Sequence, residues 1–210
     1  VDLSVGPLVE MLAAGNRVII KPSEQTPAVG QLLAEMLGDT FAREQVSVVN
    51  GGLDLARNFS TLKWDHLLYT GNTAVGKEVM RNAAQNLVPV TLELGGRNPT
   101  VFTEDAVTRD NVRIMLGSKL TKNGQLCIAV NHVLVPETAR DKFIGLVREV
   151  IEAAVGDYTT SPQVGCAVIN PRQMARVQSY LDDARARDAK GVIEIGSPAS
   201  AANPRRTPVT

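Results

Sequence analysis

Short apolar runs alternate along this chain with stretches whose apolar residues fall three and four positions apart. That alternation leaves few folds open. Residues 17–21 (RVIIK), 46–50 (VSVVN), 66–70 (HLLYT) and 88–94 (VPVTLEL) read as strands. Between them, Val5, Leu8, Val9, Leu12 and Ala13 mark a helix over 4–14, with Gly15-Asn16 as its stop. Val29, Leu32, Leu33, Met36 and Leu37 give a second helix, started by Pro27, one buried face, and a third is expected over 74–85. Spacing of three and four gathers side chains on one helix face, whereas a continuous apolar run suits a strand covered on both sides. Strands and helices in alternation predict βα units and a largely parallel sheet.

The order continues past Gly95-Gly96: a strand in PTVF, a helix over 108–122, a turn carrying Cys127, a strand over 132–136 and a helix over 137–154. The apolar VGCAVI, a helix over 171–188 and a strand GVIEI over 191–195 follow. The expected fold is α/β: a Rossmann-like parallel-sheet lobe over residues 1–95, then an α/β lobe over residues 96–210. No repeat of solenoid length recurs.

Charge narrows the function. Lys plus Arg and Asp plus Glu each number 22, and the signs are interspersed, so no basic stripe marks a nucleic-acid partner. Aromatic residues make up 4%, leaving few platforms on which bases or sugars could stack. Cys127 and Cys166 lie far apart without C-x-x-C spacing, which fits a reducing compartment and points to the cytoplasm. His66 and His132 stand in separate strand-like settings, and no metal site is expected. No apolar stretch approaches the roughly 18 residues of a membrane span, and no signal-peptide pattern opens the chain. The chain begins without Met, as though already inside a fold, so an internal piece of a longer protein is expected.

The stretch GNTAVGKE, Gly71 to Glu78, matches the phosphate-loop pattern G-x-x-x-x-G-K-S/T at every position but the last. Glu78 cannot hold magnesium as a hydroxyl would, and its carboxylate would oppose the phosphates. Two other readings stay open for the turn alone. Its glycines could simply make a tight strand-to-helix connection. Alternatively, Gly71 and Gly76 could let a dinucleotide approach the backbone at a helix N-terminus, where aligned N–H groups favour pyrophosphate.

Four stretches taken together decide between them: IIKPSEQTP (19–27), YTGNTAVGK (69–77), TLELGGRNP (91–99) and NGQLC (123–127). In this order and at these separations the chain resembles the aldehyde dehydrogenase superfamily over nearly its whole length. Residues 169–186 resemble most the fatty-aldehyde and coniferyl-aldehyde branch. The resemblance implies that the glycine turn is the G-x-T-x-x-G cofactor motif, with Gly71, Asn72, Thr73 and Gly76 binding the dinucleotide. It implies that Lys21 and Glu24 hold the adenine-side ribose. A carboxylate there repels a 2′-phosphate, which favours NAD, with NADP as the alternative. Seen alone, Lys21 and Glu24 also read as a surface ion pair.

The resemblance makes Cys127 the nucleophile and Glu93 the general base. Thiolate is intrinsically very nucleophilic, and Cys127 lies in a polar turn, whereas Cys166 in GCAVI reads as a structural thiol. Glu93 stands between Leu92 and Leu94, where burial would make its carboxylate a stronger base; an ion pair with Arg97 is the plainer reading. Asn72, Arg97-Asn98 and Leu126 depart from the family's commoner residues.

The implied reaction is thiolate attack on an aldehyde, hydride transfer to the nicotinamide, and hydrolysis of the thioester. The resemblance puts an oxyanion-stabilising Asn just before Val1 and a second cofactor-binding Glu just after Thr210, so this chain alone is expected to be poorly active. It also implies a homodimer or tetramer at full length. Two rivals remain: a reductase of activated carboxylates such as acyl phosphates or acyl-CoA, against which Glu93 argues, and a non-catalytic cofactor-binding remnant.

Overall fold

The computed structural model of the chain describes residues 2–155 and 167–187. The expected strand over 191–195, and Cys166, lie outside the described residues. The chain divides into two compact units, Val1–Leu94 and Gly95–Thr210.

The first unit runs α1 (Asp2–Ala13), β1 (Val18–Ile20), α2 (Pro27–Thr40), β2 (Val46–Val48), α3 (Leu53–Ser60), β3 (Leu67–Gly71), α4 (Thr73–Ala84) and β4 (Val90–Leu94). β1 pairs with β2 and β3 with β4, both parallel, because α2 and α4 carry the chain back to the start of the next strand. One apolar cluster gathers Leu8, Val18 and Val46 with Ile20, Leu37 and Phe41. A second gathers Leu67, Val79, Ala83 and Val88 with Trp64 and Tyr69.

Three details differ from expectation. The apolar face of α2 splits in two. Gly30 and Leu33 are buried, while Val29, Leu32 and Met36, a stripe at helical spacing, are exposed. On α1, Leu8 is buried but Val9 is exposed. Helix α3 is new: it spans only two turns, too few for its inward residues Leu55, Ala56 and Phe59 to stand out as a period. Trp64 ties it down, donating its indole N–H to the Phe59 carbonyl at 2.7 Å.

Two helices end alike. After α1, Asn16 N–H reaches Met11 O at 3.0 Å and Gly15 N–H reaches Leu12 O at 2.9 Å, with Gly15 left-handed at φ 81. After α4, Val88 N–H reaches Ala83 O and Leu87 N–H reaches Ala84 O, both at 3.1 Å, with Leu87 left-handed at φ 56. Both are Schellman ends, one with the favoured glycine and one with a leucine.

The second unit runs β5 (Asn98–Val101), α5 (Arg109–Leu120), β6 (Val130–Leu134), α6 (Arg140–Val155) and α7 (Pro171–Ala186). β5 and β6 are parallel, with a register shift between Asn98 and Pro99. Thr108 caps α5 by accepting the Asn111 N–H at 3.3 Å. Phe102, Val107, Val112, Met115 and Leu116 pack against Val150 and Ile151, with Phe102 edge-on to Phe143 at 5.3 Å. Strand β6 starts two residues before the expected 132 and closes before Pro136, which has no N–H for a ladder. Every strand pair is parallel, as the alternation requires. Among the described residues the ladders form three two-stranded pairs rather than one continuous sheet.

Candidate active site

Lys21 follows β1 and Glu24 lies just before α2, so the strand-to-helix turn brings them together. Lys21 Nζ lies 3.3 Å from Glu24 Oε2 and donates to the Pro22 carbonyl at 2.7 Å. The backbone N–H of Glu24 itself, the Gln25 carboxamide and then Lys21 hold the Glu24 carboxyl below the ordinary glutamate value, against the opposing effect of burial. Glu24 lines a groove of about 560 Å³ with Pro22, Pro27, Gln31, Asn50 and Gly51. Asn50 Nδ2 donates to the Gly30 carbonyl at 3.1 Å, and a Cβ at Gly30 would strike Asn50 Oδ1. The groove wall is thus a close contact, and a side chain at Gly30 would have to displace the Asn50 carboxamide.

The glycine turn joins β3 to α4. Asn72 is the N-cap: its Oδ1 accepts the Ala74 N–H at 2.7 Å, and its carbonyl accepts the Gly76 N–H at 2.8 Å. The N–H groups of Thr73 and Val75 are left facing out of the helix end, where an anion is favoured. A Cβ on Gly76 would lie 2.8 Å from Leu94 Cδ2, and one on Gly71 would strike Tyr69 Oη. Gly76 therefore serves close packing of helix on strand, and Gly71 leaves room for the Tyr69 phenol at the end of β3. Since Asn72 Oδ1 caps the helix, only its Nδ2 is left for a phosphate.

Tyr69 lies beside the glycine turn, and sequence reasoning passed over it. Burial raises its phenol above the ordinary value, the Asn72 N–H on its oxygen lowers it, and the Glu24 charge raises it further. Its hydroxyl takes the Asn72 N–H of the glycine turn. As the one polar-tipped residue of β3 whose ring packs into a core cluster, it could have been singled out.

Glu93 corrects an expectation. It is exposed on β4, in register with Thr70. Its neighbours Leu92 and Leu94 are partly buried, while Thr91 and Glu93 are exposed. Successive strand residues point to opposite faces, so flanking leucines cannot bury the carboxylate between them.

Cys127 belongs to the second unit and is exposed. It occupies the first corner of a tight turn in which the Leu126 carbonyl accepts the Ala129 N–H at 3.1 Å. Asn98 Nδ2 donates to the Cys127 carbonyl at 2.7 Å and to the Ala129 carbonyl at 3.0 Å. Just upstream, Lys122, Asn123 and Gly124 are all left-handed, at φ 50, 57 and 68. The structure therefore brings Lys21 to Glu24, and gathers Gly71, Asn72, Thr73 and Gly76, within the first unit. Glu93 lies on the first unit and Cys127 on the second. Among the described residues, no cluster of three His, Cys, Asp or Glu side chains could hold a metal. No helix among them is long and apolar enough to cross a membrane.

The model of the aldehyde dehydrogenase family matches residues 1–206. The chain belongs to the aldehyde dehydrogenase family. Among its relatives is a probable coniferyl aldehyde dehydrogenase of Pseudomonas aeruginosa, 46% identical over 187 residues, covering 89% of this chain and 39% of that protein. A substrate-bound Staphylococcus aureus AldH superposes with a TM-score of 0.83 at 30% identity, over 96% of this chain and 43% of that one. A Mycobacterium tuberculosis aldehyde dehydrogenase complexed with NAD+ superposes with a TM-score of 0.81 at 28% identity, over 91% and 40%. The chain thus spans about two fifths of the length of the family members it matches. Family membership accounts for the four motifs together, and the phosphate-loop match at Gly71–Glu78 is incidental.

Proposed function

We propose that the natural-length protein oxidises an aldehyde to its carboxylic acid with NAD, through a thioester on Cys127. The observation that carries the reading is Glu24. Its carboxylate is held ionised by backbone, Gln25 and Lys21 on the wall of a groove, in the unit that also holds the capped, glycine-packed end of α4. Paired acceptor oxygens at that point suit the two hydroxyls of a ribose and disfavour a 2′-phosphate, so NAD is preferred over NADP. Two outward N–H groups at Thr73 and Val75 suit a pyrophosphate. In this reading residues up to Leu94 bind the dinucleotide and those from Gly95 carry the catalytic lobe.

Cys127 supplies the nucleophile. Its thiolate forms a bond to the carbonyl carbon, and the carbonyl electrons move onto oxygen, beside the Cys127 N–H. Bound NAD supplies a hydride acceptor. Glu93 takes a proton from water, the water oxygen attacks the thioester carbon, and the carbon–sulfur bond breaks to release acid and thiolate. The exposure of Glu93 suits this role, since a base for water must reach it. A reductase of acyl phosphates would have no use for such a base. At natural length we read the protein as a cytoplasmic homodimer or tetramer.

The test is aldehyde-dependent NADH formation by the natural-length protein, across short, long and aromatic aldehydes, with Cys127→Ala beside it. Coniferyl aldehyde belongs in the panel because the Pseudomonas aeruginosa relative carries its name. Activity lost in the variant is the expected result. A variant as active as its parent would remove Cys127 from the mechanism.

A further inference from the structure

Cys127 sits at the first corner of a turn, and three carbonyls of that turn are held. The Leu126 carbonyl accepts the Ala129 N–H at 3.1 Å, which closes the turn. The other two, of Cys127 and Ala129, are gripped by one side chain, Asn98 Nδ2, at 2.7 and 3.0 Å. Asn98 opens β5, at the point where the β5–β6 register shifts, and its carboxamide reaches two carbonyls of the turn that precedes β6. The contact is made possible by Gly96. A Cβ there would lie 2.5 Å from the Cys127 carbonyl oxygen and 2.8 Å from both Asn98 Nδ2 and Oδ1.

A peptide is planar, so holding the Leu126 carbonyl also fixes the direction of the Cys127 N–H, which lies on the other side of the same plane. Holding the Cys127 carbonyl fixes the next plane. With both planes set, the N–H and the Cα–Cβ bond that carries Sγ keep a constant relation, and Sγ moves only among its few χ1 rotamers. No described group accepts the Cys127 N–H. We propose that Asn98 is a positioning residue for the nucleophile: its carboxamide orients the Cys127 turn so that the Cys127 N–H meets the oxyanion formed when Sγ attacks a carbonyl. This rests on the reading of Cys127 as the nucleophile.

Acyl transfer and alkylation separate positioning from simple access. With p-nitrophenyl acetate, Sγ bonds to the ester carbonyl carbon, negative charge develops on oxygen, p-nitrophenolate leaves and the thiol proton passes to solvent. With iodoacetamide, Sγ displaces iodide and no oxyanion forms. Both rates are measured on the natural-length protein, read at Cys127 by peptide mass spectrometry, with N-acetylcysteine as the free-thiol standard. Asn98→Ala removes the carboxamide; Asn98→Asp keeps its size but not its donors.

The expected result is an acylation-to-alkylation ratio above that of N-acetylcysteine in the parent. Both variants should lower it on the order of tenfold, less than the roughly 10²–10³ lost when an oxyanion donor is removed outright. Alkylation should stay within about twofold, because the thiol stays accessible; a merely structural loss would move both rates together. A raised ratio that survives in both variants would overturn the role of Asn98 and leave the nucleophile in place. A parent no better than N-acetylcysteine would overturn the positioning claim together with the reading beneath it.

Discussion

Lys21 Nζ stands 3.3 Å from Glu24 Oε2, with 13% and 28% of the two side chains exposed. A surface pair of this kind contributes little, but this one is partly shielded and is joined by Gln25. Because Glu24 is held below its ordinary value when folded, its contribution to stability is complete above the unfolded glutamate value of about 4.3. It is lost as pH falls through the lowered folded value. Glu24→Gln should therefore flatten the acid limb of stability; melting temperatures of parent and variant from roughly pH 6 to 3 would converge at the acid end.

The same carboxylate should set cofactor choice. Replacing it by Gln removes the charge that opposes a 2′-phosphate while leaving a group able to bond a hydroxyl. The NADP-to-NAD affinity ratio should rise on the order of tenfold, equivalent to about 1.4 kcal/mol. Titration of both cofactors against parent and Glu24→Gln measures it, and an unchanged ratio would separate Glu24 from the ribose.

Leu87 offers a stabilising change. It is left-handed and 91% exposed, at the position where the matching end of α1 has Gly15. Leu87→Gly gives up almost no buried surface and relieves a backbone penalty of about 1 kcal/mol. Denaturant unfolding should show that gain in midpoint with an unchanged slope.

Gly71 and Gly76 should respond differently to alanine. At Gly76 the obstacle is the end of a leucine side chain, which can rotate away, so Gly76→Ala should cost about 1–2 kcal/mol. At Gly71 the obstacle is Tyr69 Oη, which also takes the Asn72 N–H. Gly71→Ala should therefore disturb the capped end of α4 and weaken dinucleotide binding more than it weakens folding. Comparing dissociation constants with melting temperatures for the two variants tests the distinction.

In the second unit, Val112 is fully buried in the first turn of α5, in the cluster that packs α5 against α6. Val112→Ala removes two methyl groups and leaves a cavity, costing about 2 kcal/mol. Chemical denaturation would register that loss, and a change well under about 0.5 kcal/mol would mean the site collapses around the smaller side chain.

Much of this architecture could be read from the residues. Strands β1, β3 and β4 are apolar runs bounded by glycine or proline, and Gly15-Asn16 marks the end of α1 as a helix stop should. Failures occurred where one-dimensional spacing is ambiguous. Helix α3 is shorter than the period needed to recognise it. Val29, Leu32 and Met36 satisfy helical spacing as well as Leu33 does, and only packing distinguishes the two stripes. At the site, Glu93 illustrates the same limit: its leucine neighbours are near in sequence but on the opposite face of the strand. Asn98 was visible as a departure from the family's usual residue, yet its bonds to carbonyls at 127 and 129 span a distance no local pattern encodes.

The run Lys122-Asn123-Gly124 has a consequence for the order in which the molecule assembles. Lysine gains nothing from the left-handed basin, asparagine little, and an isolated segment would leave it at once. Such a segment cannot seed structure; it is put in place only after α5 and β6 have docked on either side of it. The loop bearing the thiol should therefore form after the rate-limiting barrier to folding, with φ-values near zero. Relieving the backbone at Lys122 with glycine would slow unfolding and leave the folding rate untouched. The loop that carries the proposed nucleophile is thus expected to arrive last, when the core that supports it is already closed.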